Sequence, residues 1–395
     1  MKRHSTCTNL LESLKDWTLS LSNHKSVIVG YIDFQRAFDS ISHAKLIHKL
    51  ISYGIDGNLL YWIQAFLSDR TQSVRIGSTL SSSCMVTSGV PQGSVLGPIL
   101  FNIFINDITD SVQDHVTVKL FADDVKLYSE IALPTDIVNF QSCLDKIQTW
   151  AVTWQIGISY SKCNIMELGP KPSHTKFLLS NKHIQTTSIT KDLGVQFEPN
   201  LKFKSHINEI VSRAHQRAAL INRPFLSRDT NNLILAFKTY VRPLLEYVSP
   251  VWSPTHVMLI RSVEAVQRRF TKRLLGMDQL QYTERLTHLG LQSLEQRRLI
   301  TDLTSYYNII HGHSSLSFSD FFSFTHNPSS RGHSLRISIP LAKSNIQRHF
   351  FSNRAINCWN SLPASVVTAT STSSFKRSLL TVNLQPYVSQ PWIMT

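Results

Sequence analysis

Three aspartates carry the strongest chemical signal in this chain of 395 residues. Asp33 ends the β-rich run Val27-Ile28-Val29-Gly30-Tyr31-Ile32, and Asp123 and Asp124 stand side by side within Val116 to Tyr128. Apolar and polar residues alternate on both sides of that pair, the pattern of two half-buried strands joined by a tight turn. An Asp-Asp step can serve simply as turn chemistry. Adjacent carboxylates nonetheless repel one another unless a cation lies beside them, and a hard divalent ion such as Mg²⁺ suits oxygen ligands. One carboxylate at a strand end and two on a hairpin match the demand of nucleotidyl transfer. That reaction uses two ions ~3.5–4 Å apart, one activating a 3′ hydroxyl and one holding a triphosphate. Between the aspartates, Gly89-Val-Pro-Gln-Gly93-Ser opens an apolar helix, and its glycines allow close backbone approach to a sugar and base.

The elements that must position these groups follow from periodicity. Leu10, Leu11, Leu14, Trp17 and Leu21 mark an amphipathic helix over 8–22, and Ser26 to Ile32 a strand. A helix runs from the N-cap Ser42 to Gly54, and a second covers Leu59 to Leu67. Ser73 to Gly77 and Ser83 to Val86 read as strands around a Ser-rich turn, and an apolar helix follows Pro98. After the hairpin come a helix from Asp136 to Trp150 and strands over Trp154 to Leu168 and Ile189 to Phe197. This interleaving up to about residue 200 predicts an α+β domain. Beyond it, helices carry Arg213 and Arg217, then Arg268, Arg269, Lys272 and Arg273, with Arg223 and Arg228 between them. A charge run is often only a solvated face, but same-sign runs on consecutive helices favour a phosphate-facing surface. Residues 314 to 340 are rich in Ser and His and read as a long loop.

Composition sets the bounds. Lys and Arg outnumber Asp and Glu by 40 to 26, a net charge of +14 that points to a polyanionic partner, nucleic acid before an anionic membrane surface. Two or three domains are expected at ~150 residues each. The five scattered cysteines offer neither zinc-ligand spacing nor a disulfide framework, which suits a reducing compartment. No apolar run is long enough to span a bilayer and the amino terminus lacks a signal-peptide core, so a soluble intracellular protein with no membrane partner is expected.

Tyr31-Ile-Asp-Phe-Gln-Arg-Ala-Phe-Asp39, Gly89-Val-Pro-Gln-Gly-Ser-Val-Leu-Gly-Pro98 and Phe121-Ala-Asp-Asp124 resemble motifs A, B and C of reverse transcriptases, above all those of non-LTR (LINE-type, jockey-like) retrotransposons. Trp154 to Cys163 resembles the motif D region, Lys191 to Val195 the strand after it, Tyr240 to Tyr247 the thumb, and Trp359-Asn-Ser-Leu-Pro363 the carboxy-terminal tail. The resemblance implies a right-hand polymerase palm followed by a mostly helical thumb and tail. It divides the chain into a remnant of the fingers (1–25), a palm with part of the fingers (26–200), a basic helical thumb (201–300) and a loop-rich carboxy-terminal region (301–395).

It also implies roles. Asp33, Asp123 and Asp124 would bind two Mg²⁺ ions, or Mn²⁺ in their place, with backbone beside Phe34 contributing a carbonyl. Phe38 would lie under the incoming sugar and exclude a 2′ hydroxyl, although a core aromatic at a helix start would look the same. Gln92 and Gly93 would contact nucleotide and template, and Lys162 would protonate the leaving pyrophosphate. Asp39 reads as a helix-start charge. Partners would be an RNA template, a DNA primer and deoxynucleoside triphosphates, in the nucleus by family resemblance. Most of the family's fingers are missing ahead of motif A, so a 5′-truncated element copy is expected. An endonuclease or full-length element protein would then act in trans. The competing reading is a truncated, inactive fragment that binds RNA or RNA–DNA hybrid without polymerising. An RNA-dependent RNA polymerase fits Ala122 and Phe38 less well, and a group II intron maturase lacks the tail signature.

Overall fold

The structure is a computed structural model that describes residues 3–112, 115–170, 175–222, 229–325 and 332–389. It divides into two compact units, one of His24–Ser188 and the other of Met1–Asn23 with Ile189–Thr395. In chain order the main elements are α1 (Thr6–Ser22), β1 (Ser26–Ile32), α2 (His43–Ser52), α3 (Gly57–Leu67), α4 (Leu96–Ile105), β2 (Thr117–Phe121), β3 (Asp124–Ile131), α5 (Pro134–Trp154), β4 (Asn164–Leu168), β5 (Gln185–Thr186), α6 (Lys204–Asn222), α7 (Val257–Lys272), α8 (Leu294–Ile310) and α9 (Thr372–Leu379).

The smaller unit is built on one sheet of order β5-β4-β1-β3-β2. Every pairing is antiparallel except the short β5–β4 contact. β1 lies at the centre, and its near-continuous apolar run suits a strand buried on both faces. Gly30 leaves room where a Cβ would come within 3.2 Å of Leu127 and Phe140 and 3.3 Å of Ile165. Ile28, Ile32, Leu127 and Ile165 share a core with Phe101 and Phe104 of α4 and with Phe140, Leu144 and Ile147 of α5. α5 starts where Pro134 pre-sets the first turn and the Asp136 carboxylate accepts from the Ala132 and Leu133 N–H groups at 2.8 and 2.7 Å. It ends at Gln155, which turns left-handed at φ +59°. α2 is capped by the Ser42 hydroxyl as its sequence requires.

α2 is locked to the core by a buried cation. Lys49 is 1% exposed, and its ammonium lies 3.8, 4.6 and 4.7 Å from the ring centres of Trp154, Phe104 and Trp150. It also donates to the Phe104 carbonyl and to Asp107 at 2.5 Å. Burial pushes the Lys49 amine down from its usual value, while Asp107 and the π-faces hold the charged form in place.

Four expected strands change. The pairing between 71 and 85 joins Thr71–Gln72 to Cys84–Met85 and Arg75–Ile76 to Thr79–Leu80, so the turn is at Gly77 and not in the Ser-rich stretch. Trp154 ends α5, and the strand expected over Trp154 to Leu168 shrinks to β4, because Trp154 continues the buried helical stripe. Ile189 to Phe197 folds back on itself as Thr190–Asp192 against Val195–Phe197, with Leu193 and Gly194 both at positive φ.

The larger unit is mainly helical. α1, capped by the Ser5 hydroxyl, buries Leu10, Leu11, Leu14 and Trp17, and belongs to this unit. α6 and α7 pack together, and α7 buries Ile260, Val263, Val266 and Phe270. Past residue 301 the chain is not all loop: α8 runs to Ile310, and residues 345–379 wind into short helices ending in α9. Within the stretch expected as a loop, Phe324 bridges Ile337. Arg223 and Arg228 lie outside the described residues.

His206 on α6 is 3% exposed, its Nδ1 accepting from the Gln196 N–H at 3.3 Å and its ring edge-on to Trp252. Burial, reinforced by the charges of Lys191 and Arg213, pushes the imidazole from 6.5 down to about 4. The unfolded chain takes up the proton first, so this contribution to stability is complete above pH 6.5 and is lost as pH falls toward 4, by about 3 kcal/mol. Urea unfolding at about pH 7 and about pH 4.5 checks this, and His206→Asn is expected to flatten the acid-side loss.

Candidate active site

Strand register brings the segments that carry the three carboxylates to the same end of the sheet. β1 pairs with β3 up to Ile32↔Val125. Asp33 is the next residue along one strand and Asp124 the next along the other, at the point where the pairing ends. Phe121 pairs with Asp124, so Ala122 and Asp123 form a two-residue turn. Ala122 takes φ +52°, a left-handed conformation that costs a Cβ-bearing residue about 1–2 kcal/mol. The turn thereby brings Asp123 beside Asp124 at the strand end.

The other edge of β1 supplies a cation. Past Tyr31↔Asn164 the register carries Ile32 toward Cys163 and Asp33 toward Lys162. The Asp33 N–H points at the Cys163 sulfur at 3.5 Å, and the Lys162 ammonium lies 3.5 Å from Asp33 Oδ1. Lys162 is 69% exposed, so solvent screens the attraction. Cys163 is buried, which pushes its thiol up and keeps it protonated. Downstream backbone is pinned by Ser159 N–H to the Asp33 carbonyl at 2.8 Å and Gln35 N–H to the Gly157 carbonyl at 2.7 Å.

Asp33 Oδ1 is shielded from solvent and accepts no hydrogen bond. Its nearest opposite charge is the exposed Lys162 ammonium, at 3.5 Å. Among the described residues no three His, Cys, Asp or Glu side chains form a metal cage. Mg²⁺ does not need one, since it binds through one or two carboxylates and completes its shell with water and substrate phosphates. Carboxylate oxygens are hard donors of the kind such an ion takes, and Asp33, Asp123 and Asp124 stand at the ends of neighbouring strands.

The Gly/Pro/Gln loop is stitched to the segment after Asp33. Val90 N–H donates to the Phe38 carbonyl, Gly89 N–H to the Ile41 carbonyl and the Ser88 hydroxyl to the Asp39 carbonyl, each at 2.8 Å. The Gln92 amide donates to the Asp39 carboxylate at 2.8 Å. Asp39 stands in the first turn of the short helix Ala37–Ser40, as expected of a helix-start charge, and also tethers Gln92. The only sequence signal for this role is its place six residues after Asp33. Gly93 is open, with φ +82° and nothing near a would-be Cβ. Phe38 stacks on Phe101 at 4.3 Å between ring centres and is half-buried, so it is a core aromatic with an accessible edge. Phe34 is 4% exposed and packs against Trp150. Its side chain cannot reach a nucleotide, and only its backbone is available to the site.

The candidate nucleic-acid cations lie in the larger unit. Arg217, Arg269, Lys272 and Arg273 are exposed, Arg268 is partly covered, and Arg213 is shared with Glu209 at 3.5 Å. His215 on α6 is held below its usual value by burial and by the charges of Arg269 and Arg273 on α7, so the two helices bring their cations together.

Residues 2–197 match the family described as reverse transcriptase (RNA-dependent DNA polymerase). The chain is 31% identical over 260 residues to the RNA-directed DNA polymerase from mobile element jockey of Drosophila funebris, covering 60% of this chain and 28% of that protein. It is 26% identical over 278 residues to the Drosophila melanogaster protein of the same name, covering 67% and 30%. A probable RNA-directed DNA polymerase from transposon X-element of Drosophila melanogaster is 26% identical over 262 residues, covering 63% and 28%. The chain thus spans less than a third of the length of these relatives. Among solved structures, a telomerase from Candida albicans in complex with a fragment of telomeric RNA aligns at TM-score 0.36 and 14% identity, over 80% of this chain and 54% of that one.

Gly89 has φ +84°, and a Cβ there would fall 2.6 Å from the Asp39 backbone. Gly89→Ala is therefore expected to cost at least about 2 kcal/mol in chemical denaturation, through forbidden backbone and a clash that no rotamer relieves.

Proposed function

Residues 2–197 being a reverse transcriptase domain of the jockey-like, non-LTR kind, we propose that the chain extends a DNA primer on an RNA template by two-metal nucleotidyl transfer. The observation that supports this reading is the register of β1 between β3 and β4, which brings Asp33 to the sheet end that carries Asp124 and sets Lys162 3.5 Å from its carboxylate. Mg²⁺ bound by Asp33, Asp123 and Asp124, or Mn²⁺ in its stead, supplies the Lewis acidity and charge neutralisation of the transfer.

The chain's own groups do the rest. Asp33 and the hairpin aspartates hold the reacting phosphate end of the site on rigid strand ends. Lys162, long, exposed and 3.5 Å from Asp33, is in reach of a leaving pyrophosphate and can donate a proton to it. Phe38, braced by Phe101, offers its edge beneath the deoxyribose and leaves no room for a 2′ hydroxyl. Gln92, oriented by Asp39, and the side-chain-free Gly93 form the surface for base and template. Residues 26–200 act as palm and 201–300 as thumb, where Arg213, Arg217, Arg268, Arg269, Lys272 and Arg273 contact phosphates without reading sequence. No helix among the described residues is long and apolar enough to cross a membrane.

Primer extension on an RNA template with deoxynucleotides and Mg²⁺ tests the proposal. Asp33→Asn and Asp123→Asn should each reduce extension by at least about a hundredfold while primer–template binding persists. A folded wild-type chain that binds primer–template yet extends nothing would leave only a nucleic-acid-binding fragment. Phe38→Val should raise ribonucleotide incorporation relative to deoxynucleotide incorporation, measured with each triphosphate alone, and an unchanged ratio would remove Phe38 from sugar selection.

A further inference from the structure

The larger unit carries a second concentration of positive charge, away from α6 and α7 in sequence. Two connected cavities, of about 660 and 330 Å³, share Gln292, Arg297 and Leu380 in their walls. Lys238 and Arg242 line one end, Arg297 the junction, and Lys376 and Arg377 of α9 the other end. The single carboxylate among the lining residues is Glu246. It is already taken: Arg297 grips it with Nε and, at 3.0 Å, with Nη2, and Arg242 lies 3.7 Å away. Lys238, Lys376 and Arg377 have no carboxylate partner among the described residues, so the groove holds a surplus of four positive charges.

Backbone irregularity presents two of these cations. Phe237–Val241 is wound wide as a π-helix, and Arg242–Leu245 tightens into a 3₁₀ turn. Pro243 explains the break, since it lacks the N–H that would continue the α-helical ladder. The floor is apolar, with Val248, Pro250 and Ile300, and no aromatic ring lines either cavity. There is thus nothing for a base to stack on, and attraction must come from the cations.

We propose that this groove is a phosphate track for one strand of RNA, running from Lys238 past Arg297 to Lys376 and Arg377, and that it binds without regard to sequence. A row of cations with a single, already neutralised acid complements a row of phosphodiesters. A duplex, wider than its own ~12 Å major groove, does not enter cavities of this size. The track does not depend on polymerisation: Asp33→Asn should abolish extension and leave RNA binding here untouched.

Fluorescence anisotropy of the full chain with a labelled single-stranded homopolymer RNA, titrated at several salt concentrations, tests the track. Lys376→Gln with Arg377→Gln should weaken binding about tenfold and make the slope of log K against log salt shallower by about 1.4, or 0.7 for each lost contact. Lys238→Gln, at the opposite end, should reduce the slope by about 0.7 and serves if the double variant fails to fold by circular dichroism. Unchanged affinity and slope in folded variants would overturn the track. So would a strong difference between adenine and uracil homopolymers, because it would mean that bases are being read.

Discussion

The antiparallel pairing of β1 on both edges is the constraint on which the site depends. Because side chains alternate with a period of two, a slip of one residue against β3 would turn Asp33 away from Asp124 and expose Ile28 and Ile32. The register is held by packing far from the carboxylates: Gly30 fits only because Leu127, Phe140 and Ile165 close over it. One strand thus leads Asp33 to the end of β3 that carries Asp124 on one side and to the Lys162 ammonium on the other. Neither contact needs much energy of its own, since the sheet holds both sets of backbone in place.

Both units bury charge, in different ways. In the smaller one, Lys49 is enclosed by three aromatic rings and paired with Asp107, whose carboxylate also accepts from Trp150 Nε1 at 2.9 Å. Four elements are tied by that arrangement, and truncating Asp107 would leave the Lys49 charge buried without its counter-ion, at a cost of roughly 3–5 kcal/mol. In the larger unit Arg354 clasps Asp302 with two bonds of 2.7 and 2.8 Å and reaches the Pro250 carbonyl at 2.9 Å. Nearby, Glu264 accepts from Tyr282 and from the Leu294 and Glu295 N–H groups. Burial raises the Glu264 carboxyl, these donors and Arg298 oppose the rise, and the arrangement fixes where α8 begins against α7. Sequence patterning treats such positions as solvated faces, which is why Glu264 and Gln267 interrupt the expected apolar stripe of α7.

The glycine loop shows how a local signal acquires meaning from a distant contact. Gly89 lies against the Asp39 backbone and Gly97 against the Pro91 carbonyl, where a Cβ would come within 2.5 Å. These glycines serve first to let the loop pack on the segment that follows Asp33. Only Gly93 is left open, which makes it the glycine available to a ligand.

Short-range physics was legible in the sequence. The strand Ser26–Ile32, the Ser42 cap, the helical repeat of α1 and the alternation around Asp123–Asp124 each follow from side-chain chemistry within a few residues, and the structure keeps them. The three carboxylates could be named because they stand at the ends of those elements, whereas Lys162 was named only through the family resemblance. What the sequence could not decide was set by partners remote along the chain. Trp154 lengthened α5 because Lys49 needed its ring, and Thr190–Phe197 folded on itself at Leu193-Gly194 instead of running straight. Asp39 took up Gln92, a contact between residues 53 positions apart. Local pattern determines which residues can do chemistry, but the packing of residues far apart in the chain determines which of them face one another. Burial and register are properties of that packing alone.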